Sequence, residues 1–424
     1  DLTRSQMVAL LRAPEPDVLK SLLPAATLDA ATRARVEGHA RLILNDLRAA
    51  QSTGWINRFL QEYRLNTQEG VALLSLAEAY LRVPDTTTAD LLIKDKLGDA
   101  DWKAHSGQSG SKLVNSATFG LVLTRALVAD EGGVLKGLLA RAGEPFIRAG
   151  VAAAMRLMGS VFVMGRDIEE ALDRAAKPEN KGFTASFDML GESARTWQDA
   201  RAYYVSYENA IAAVGASKKV LGHNISVKLS ALHPRYEVAN AKACVPELTE
   251  MMIGLSRKAA GLGIGLTVDA EETERLMMSL DTIEGVARDP QLSGWDGFGM
   301  AIQAYGKRCP FVLDYIIDLA RRAGRRMMVR LVKGAYWDAE IKRAQLDGLQ
   351  GFPVYTRKIH TDVAYIACAR RLLAAQDAVF PQFATHNAQT LASIYHLAGP
   401  AFEVGKYEFQ CLHGMGESLY EEVV

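Results

Sequence analysis

The sequence predicts an α/β protein whose core is a (β/α)8 barrel of the TIM type, preceded by an all-helical N-terminal region. Two observations predict this fold. After about residue 183, short runs rich in β-branched and aromatic residues alternate with helical stretches, and polar side chains stand at the C-terminal ends of nearly all the runs. Strand, helix and strand at this spacing are typical of parallel βαβ units. The runs are FTASFDML, ISVKLSAL, GLTVDAEE, GFGMAIQAY, MMVRLVKGAYW, FPQFATHN and YEFQCLHG.

Residues 1–180 are predicted to form a helical scaffold, with the barrel occupying residues 181–424. A capping Asn66 or Thr67 begins one helical segment, and Pro84 ends it. β-branched alternation is scarce here, and no chemistry is predicted for the region. The segments with apolar residues at helical spacing are ATLDAATRARVEGHARLILNDLRAA, NTQEGVALLSLAEAYLRVPD, DTTTADLLIKDKLGD and EPFIRAGVAAAMRLMGSVFV.

The polar strand ends decide between a barrel and an open doubly wound sheet. A (β/α)8 barrel collects its active site from the C-terminal ends of many strands, whereas an open sheet uses one switch point. Polar residues end all the runs here, which favours the barrel. These residues are Asp188, Lys228, Asp269, Gln303, Arg330, His386, Asn387, Gln410 and His413.

Seven strands can be recognised in the sequence, while closure of a (β/α)8 barrel requires eight. The chain runs only to SLYEEVV after the seventh run. Either one early strand lacks a clear pattern, or the eighth strand and the last helix are absent from this chain. The last βα unit is not seen in this chain, and both alternatives stay open.

Composition excludes several classes of protein. Lys+Arg and Asp+Glu both number 49, so the formal net charge of zero predicts no general attraction to nucleic acid or anionic membrane. The four cysteines are widely spaced without a CxxC pair, which argues against a disulfide scaffold or a zinc ribbon and is typical of a reducing cytosol. We expect free, buried thiols. No apolar run approaches the roughly 20 residues of a membrane-spanning helix.

Two common ligand motifs are not supported. GLGIGL at Gly261 lacks the dinucleotide-binding spacing and precedes a strand, so we expect a helix end that leads into that strand. His386, His413 and Asp269 could ligate a metal, but the first strand lacks the HxH pair typical of metal-dependent hydrolase barrels. We predict no metal, and a metal-dependent barrel hydrolase or lyase stays an alternative.

Lys228 and Arg330 each interrupt a β-rich run. A desolvated cation needs an anion. Asp269 is one internal candidate, and a phosphate or carboxylate ligand is another. The segments THN and TRK would suit an anionic, hydroxyl-rich cofactor, while Trp337 could stack on a ligand or pack against a helix. The residues alone predict a barrel rim that binds an anionic ligand.

Long motifs in a fixed order resemble a known family. They are SFDMLGE, KLSALHPRY, DAEE, IQAYGKRCP, RLVKGAYWDAEIKRAQ, PVYTRK, PQFATHN and YEFQCLHGMGE. They are similar to the proline dehydrogenase region of the proline utilization A family, which consists of bacterial bifunctional flavoenzymes. The resemblance extends from about residue 180 to residue 424. The helical N-terminal half is also similar, notably in EGVALLSLAEAYLRVPDTTTADLLIKDKLGD.

The resemblance implies a distorted (β/α)8 barrel that binds FAD noncovalently and oxidises L-proline to Δ1-pyrroline-5-carboxylate by hydride transfer to the flavin, the first step of proline catabolism to glutamate. Electrons then pass to a membrane quinone. It also implies an aldehyde dehydrogenase domain in the full-length protein and a cytoplasmic location, peripheral at the inner membrane during turnover. The DNA-binding segment of some members has no counterpart, so we predict no nucleic-acid partner through this region.

The resemblance further implies roles for single residues. Arg330 corresponds to the arginine at the flavin N5 edge, where a fixed cation stabilises negative charge on the reduced ring. Trp337 lies towards the adenosine, with Thr356 and Lys358 at the phosphates and ribose. The implied catalytic residues are Arg330, Lys228 and Asp269, and the implied substrate contacts are Lys228, Asp269, Leu331 and Tyr336. The implied FAD contacts are Asp269, Ala270, Gln303, Arg330, Val332, Gly334, Ala335, Trp337, Thr356, Lys358, Thr385, His386, Asn387, Gln410 and Cys411.

One departure concerns the substrate carboxylate. In the family, two adjacent arginines on the last barrel helix hold it, and this sequence ends before positions that could correspond to them. If they are absent, we expect weak proline binding, because the carboxylate loses its bidentate partners. A catalytically impaired FAD-binding fragment is therefore a second alternative.

Overall fold

The computed structural model describes residues 2–49, 88, 163–217, 222–400 and 402–421. The chain divides into two compact units, one of Asp1–Asn45, Gly165–Leu412 and Gly416–Val424 and the other of Asp46–Met164 and His413–Met415. The first unit contains the whole described sheet. The helices predicted between residues 66 and 163 lie outside the described residues apart from Thr88 and Val163. The boundary predicted at residue 180 stays a prediction.

Within the described residues, seven parallel strands form one sheet, and each strand pairs with the next one along the chain. The strands are β1 (Ser186–Asp188), β2 (Asn224–Val227), β3 (Gly265–Val268), β4 (Phe298–Gln303), β5 (Met327–Val332), β6 (Val379–Ala384) and β7 (Glu408–Gln410). This sheet is a partial TIM-type barrel, as predicted. Sequential parallel pairing places the carboxyl ends of all these strands along one rim.

Arg330 of β5 shows that the sheet curls. Its Nη2 lies 2.7 Å from Ser186 Oγ on β1, and its Nη1 lies 3.0 Å from Ser226 Oγ on β2. In a flat sheet, four strand spacings of about 4.8 Å would separate β1 from β5 by about 19 Å. No arginine side chain spans that distance. The first five strands therefore wrap around a shared concave face.

Helices precede the sheet and alternate with its strands. The N-terminal helices are α1 (Leu2–Leu10), α2 (Glu15–Ala26), α3 (Ala30–Ala49) and α4 (Ile168–Ala175). The later helices are α5 (Trp197–Ala216), α6 (Leu229–Leu232), α7 (Ala241–Gly261), α8 (Leu276–Ala287), α9 (Cys309–Ala323), α10 (Trp337–Leu346), α11 (Lys358–Leu373), α12 (Ala388–Ala398) and α13 (Glu417–Glu421). In the part of the chain that the structure describes, no helix has both the length and the apolar composition to cross a membrane.

Local sequence explains several helix ends. Before α5, Thr196 N donates to the Asp199 carboxylate at 2.9 Å and Asp199 N donates to Thr196 Oγ1 at 3.1 Å, which is a capping box. After α9, Gly324 adopts φ 62°, the left-handed conformation that ends many helices. In GLGIGL, α7 ends and Gly263 turns at φ 69° into β3. The predicted helix end before that strand is confirmed.

The second predicted run is a strand only in its first half. β2 ends at Val227, and the following LSAL forms α6, whose residues are all buried. A short apolar run has no periodicity that separates strand from buried helix. The prediction of a strand through ISVKLSAL was therefore too long.

The cysteines largely follow expectation. Cys244, Cys309 and Cys368 are free and buried, but Cys411 is only half-buried. Cys411 directly follows β7 at the rim of the sheet, where the chain leaves the core. The prediction of burial was wrong for this thiol.

Helices α1 and α2 pack on the outer helices of the barrel. Arg4 of α1 donates to Tyr315 Oη of α9 at 2.7 Å. Val18 and Leu22 of α2 pack in an apolar cluster with Tyr355 and with α11. Burying an aliphatic side chain of this size contributes about 1.5–3 kcal/mol. These two helices therefore pack against the barrel, while the scaffold role of residues 1–180 stays a prediction.

Candidate active site

Arg330, Asp269 and Lys228 meet at the rim, at or just beyond the carboxyl ends of β5, β3 and β2. Arg330 Nη1 donates to Asp269 Oδ1 at 2.8 Å, and Lys228 Nζ lies 3.6 Å from Asp269 Oδ2. None of the three side chains is more than 16% exposed. Asp269 therefore stands between two cations with little screening by water. The internal anion predicted for Arg330 is present.

Two serine hydroxyls complete the surroundings of Arg330, and neither was predicted from the sequence. Nη1 donates to Ser226 Oγ at 3.0 Å, Nη2 donates to Ser186 Oγ at 2.7 Å, and the two hydroxyls lie 3.1 Å apart. Side chains two residues apart in a strand share a face. Ser186 thus shares a face with Asp188, and Ser226 with Lys228. That i, i+2 spacing was the signal that could have found them.

Lys228 also binds a second carboxylate. Its Nζ donates at 2.5 Å to Oδ2 of Asp188, the last residue of β1. Burial alone would lower the pKa of Lys228, but the charges of Asp269 and Asp188 outweigh burial and raise that pKa. Burial raises the pKa of Asp269, and the charges of Arg330 and Lys228 oppose the rise. Lys228 stays a cation, and the protonation of Asp269 depends on its two cationic neighbours.

Gln303 at the end of β4 connects two loops. Its Nε2 donates to the Glu271 carbonyl at 2.9 Å, and its Oε1 accepts from Ala335 N at 3.1 Å. The Glu271 carboxylate accepts from Ser230 N at 3.0 Å and lies 3.2 Å from Arg275 Nη1. Glu271 was not among the predicted site residues, although it belongs to the DAEE motif. Both ends of the Gln303 amide are thereby held in place.

The loop between β5 and α10 lies closely against Tyr305. Gly334 has φ 142°, and a Cβ at this position would lie 2.4 Å from the Tyr305 ring. Tyr305 N donates to the Lys333 carbonyl at 2.7 Å. At the start of α10, Trp337 Nε1 donates to the Tyr355 carbonyl at 2.8 Å. The loop needs glycine at residue 334 for both conformation and close approach.

Thr356 and Lys358, at the start of α11, already have partners. Thr356 N and Oγ1 donate to the Glu15 carboxylate at 3.0 and 2.8 Å. Lys358 Nζ lies 3.1 Å from Asp362 Oδ2, while Lys333 Nζ lies 2.5 Å from Asp362 Oδ1. Two lysines thus share one carboxylate. Both ammonium groups lie near the N-terminus of α11, where the helix dipole also favours anions.

The ends of β6 and β7 bring a second polar group together. Thr385 N donates to the Gln410 carbonyl at 3.2 Å. Asn387 caps α12 through its side chain. Cys411 follows Gln410 in a half-buried position. Four of the predicted cofactor contacts therefore lie side by side on the rim.

His386 belongs to the same group, and one of its two ring nitrogens already has a hydrogen-bond partner. Its Nε2 accepts a hydrogen bond from Leu412 N at 3.0 Å. Across residues 2–49, 163–217, 222–400 and 402–421, no group of three or more His, Cys, Asp or Glu side chains is arranged to hold a metal ion. The geometry gives no support to the metal-dependent alternative.

Not every predicted residue joins the central cluster. Leu331 follows Arg330 in β5, so its side chain leaves the opposite face of the strand, where it is fully buried. Tyr336 is half-buried before α10, and burial raises the pKa of its hydroxyl. Ala270 and Val332 are half-buried at their strand ends. The substrate contacts predicted for Leu331 and Tyr336 stay predictions.

A family model described as proline dehydrogenase matches residues 171–424, which contain the whole described sheet. The chain belongs to the proline dehydrogenase family. A second model, described as the proline utilization A proline dehydrogenase N-terminal domain, matches residues 3–48. The helices α1 and α2 thus lie in a segment that this family also shares.

Curated relatives in the proline dehydrogenase family are much longer than this chain. The chain is 51% identical over 434 residues to the bifunctional protein PutA of Klebsiella aerogenes, covering 99% of this chain and 33% of that protein. It is 54% identical over 430 residues to the bifunctional protein PutA of Rhizobium meliloti, covering 99% of this chain and 35% of that protein. The chain spans about one third of the length of these relatives.

Solved structures of the family share the fold. One, described as proline utilization A with proline bound in remote sites, has a TM-score of 0.72 and 44% identity, and the match covers 97% of this chain and 43% of that chain. A mutant of Bradyrhizobium japonicum proline utilization A has a TM-score of 0.70 and 44% identity, with 97% and 42% covered. This chain corresponds to the proline dehydrogenase region of such proteins.

One prediction about partners is contradicted. Residues 55–162 match a family model described as the DNA-binding domain of proline dehydrogenase, whereas the sequence predicted no nucleic-acid partner through this region. The prediction relied on two arguments, the apparent lack of a counterpart to the family's DNA-binding segment, which this match overturns, and the net charge of the whole chain, which carries no information about one segment. These residues, Thr88 apart, lie outside the described part of the structure.

Proposed function

We propose that this proline dehydrogenase region binds FAD and oxidises L-proline to Δ1-pyrroline-5-carboxylate. The observation that carries the proposal is the cluster of Arg330, Asp269 and Lys228 on the rim of a family member's barrel. The description of one similar structure names bound proline, and the curated relatives are bifunctional proteins. We assign the catalytic roles to these three residues.

The described residues fit a flavin dinucleotide in two respects. Arg330 Nε is buried without a hydrogen-bond partner among the described residues, so the guanidinium retains a donor for a ligand. Gly334 and Ala335 are both exposed at the rim, so the backbone of this loop is open to the close approach of a ligand. In our proposal FAD is contacted by Asp269, Ala270, Gln303, Arg330, Val332, Gly334, Ala335, Trp337, Thr356, Lys358, Thr385, His386, Asn387, Gln410 and Cys411.

When bound, FAD supplies the hydride acceptor. Arg330 places a fixed cation where negative charge develops, and Ser186, Ser226 and Asp269 prevent its guanidinium from turning away. Lys228, held between two carboxylates, forms with Asp269 the polar floor on which proline is oriented. A preorganised charge of this kind needs no rearrangement during the reaction.

The wider reaction sequence is also part of the proposal. Electrons leave through a membrane quinone, and the product passes to an aldehyde dehydrogenase domain in the full-length protein. The bifunctional names and the greater length of the relatives support the second step. We place the protein in the cytoplasm, peripheral at the inner membrane during turnover. The division into a helical region, residues 1–180, and a barrel, residues 181–424, also belongs to the proposal.

A visible spectrum recorded before and after anaerobic addition of L-proline tests the function. We expect yellow protein whose flavin absorption is bleached by proline, because hydride transfer reduces the ring. Glycine has an amino and a carboxylate group but no ring, and it serves as the control that leaves the spectrum unchanged.

Other outcomes contradict the proposal. Colourless protein that gains no flavin spectrum with added FAD would exclude a flavoenzyme. Retained colour without bleaching would identify an FAD-binding fragment that does not oxidise proline. Metal at one equivalent or more, with activity removed by a chelator, would indicate a metal-dependent hydrolase or lyase.

A further inference from the structure

Glu15, the first residue of α2, is enclosed by the segment that leads into α11. Its side chain is 13% exposed. The carboxylate accepts from Thr356 N at 3.0 Å and from Thr356 Oγ1 at 2.8 Å, and it also contacts His360 Nδ1. Burial alone would raise the pKa of Glu15, but the hydrogen bonds from His360 and Thr356 outweigh burial and lower it. The group is therefore a carboxylate anion at neutral pH.

The same segment is held on other sides by the candidate site. Tyr355 N donates to the Tyr305 carbonyl at 2.8 Å, and the Tyr355 carbonyl accepts from Trp337 Nε1 at 2.8 Å. Lys307, from the loop after β4, donates to the Ala13 carbonyl at 2.8 Å, just before α2. Residues 353–356 thus lie between the loop next to Gly334 and helix α2. A shift of α2 would be transmitted to Thr356.

The direction of the hydrogen bonds determines what Thr356 can still do. Both of its donors, the backbone N–H and the hydroxyl, point at Glu15. The hydroxyl oxygen keeps free lone pairs and can only accept a further hydrogen bond. As an acceptor, the Thr356 hydroxyl can bind a ribose hydroxyl of FAD. The FAD phosphates suit the nearby cations Lys358 and Lys333.

We propose that Glu15 is a positioning residue for the adenylate end of FAD. It acts through Thr356, by fixing the segment from which Thr356 and Lys358 contact the cofactor and by making the Thr356 hydroxyl an acceptor. The inference rests on the proposed function, and it extends that function to an N-terminal helix for which the sequence predicted no chemistry. Asp17, in the same first turn of α2 but exposed, provides a matched carboxylate without this contact.

Titration of the apoprotein with FAD and with FMN tests the inference in the wild type, Glu15→Gln and Asp17→Asn. FMN lacks the adenylate and so does not reach the part of the site that Glu15 organises. We expect Glu15→Gln to raise the dissociation constant of FAD about tenfold, or about 1.4 kcal/mol, and that of FMN less than about twofold. Asp17→Asn removes the same charge from the helix and should change neither constant.

Two results would overturn the inference. An equal loss of FAD and FMN affinity would mean that Glu15 supports only the fold, and an unchanged FAD affinity would mean that Thr356 does not depend on it. Should Glu15→Gln fail to fold, Glu15→Asp gives the same comparison, because it keeps the charge but withdraws the carboxylate from Thr356. Bleaching by proline is measured in parallel on the wild type. If the wild-type protein binds FAD but is not bleached by proline, only the proposed proline oxidation is contradicted. The FAD and FMN titrations still test the role of Glu15.

Discussion

Replacing Arg330 by methionine should slow reduction of the bound flavin by proline about a hundredfold to a thousandfold, the usual effect of removing one preorganised charge stabiliser. Methionine keeps much of the side-chain length but removes the cation and the three hydrogen bonds to Ser186, Ser226 and Asp269. The midpoint potential of the flavin should fall in parallel, because negative charge on the reduced ring loses its fixed partner. Anaerobic stopped-flow bleaching and a potential titration measure the two effects.

Arg326 provides the matched control for Arg330. It lies at the opposite end of β5, where its guanidinium donates to the Gln376 and Gly405 carbonyls at 2.9 and 2.8 Å. Arg326→Met should lower the melting temperature and leave the midpoint potential unchanged. Arg330→Lys keeps the charge without the planar fork and should recover part of the rate. If proline bleached the flavin of Arg330→Met at the wild-type rate, the role assigned to Arg330 would be wrong.

Gly334→Ala should weaken FAD binding at least about a hundredfold. A residue with a Cβ at φ 142° carries strain of about 1–3 kcal/mol. The new methyl group would also lie 2.4 Å from the Tyr305 ring. Tyr305 is only 3% exposed and is bound through its backbone to Lys333 and Tyr355, so the loop must move instead. Fluorescence titration with FAD measures the loss of affinity.

Gly348→Ala separates backbone strain from displacement of the loop. Gly348 also has positive φ, 64°, but nothing lies within 4 Å of the position that a Cβ would take. This variant should lose about 1 kcal/mol of stability and keep its FAD affinity. Adding Tyr305→Ala to Gly334→Ala relieves the overlap and should restore part of the binding. Undiminished FAD affinity in Gly334→Ala would exclude the loop from the cofactor site.

The charged residues of the rim could be predicted because they lie at the ends of recognisable strands. Asp269, Lys228 and Arg330 each stand where a β-like run ends or is interrupted, and parallel strands place such positions together. The two serines that bind Arg330 were harder to predict from the sequence. Ser186 and Ser226 are small, uncharged residues that do not stand out in the sequence, and the curl of the sheet brings them to Arg330 on a distant strand.

The role of Glu15 could not be predicted from any local pattern. It lies 341 residues from Thr356 along the chain, in a helix whose periodicity indicates only an apolar face for packing. Docking of α2 decides which of its carboxylates is enclosed, and Asp17 in the same turn stays exposed. The short helix α6 escaped prediction for a different reason, since four buried residues carry no distinguishing period.

The hydrogen bonds of Arg330 also constrain how the protein acquires its native structure. They join residues that are 61, 104 and 144 positions apart, so each closes a large loop of chain. Contacts of such high sequence separation form late, because the entropy of loop closure must be met before they contribute. A folding intermediate that has assembled only β3 to β6 would therefore contain Arg330 and Asp269 but lack the hydroxyls of β1 and β2. The constellation is complete only when β1 and β2 have joined β3 and β5, so ligand binding requires the curled sheet from β1 to β5 to be assembled.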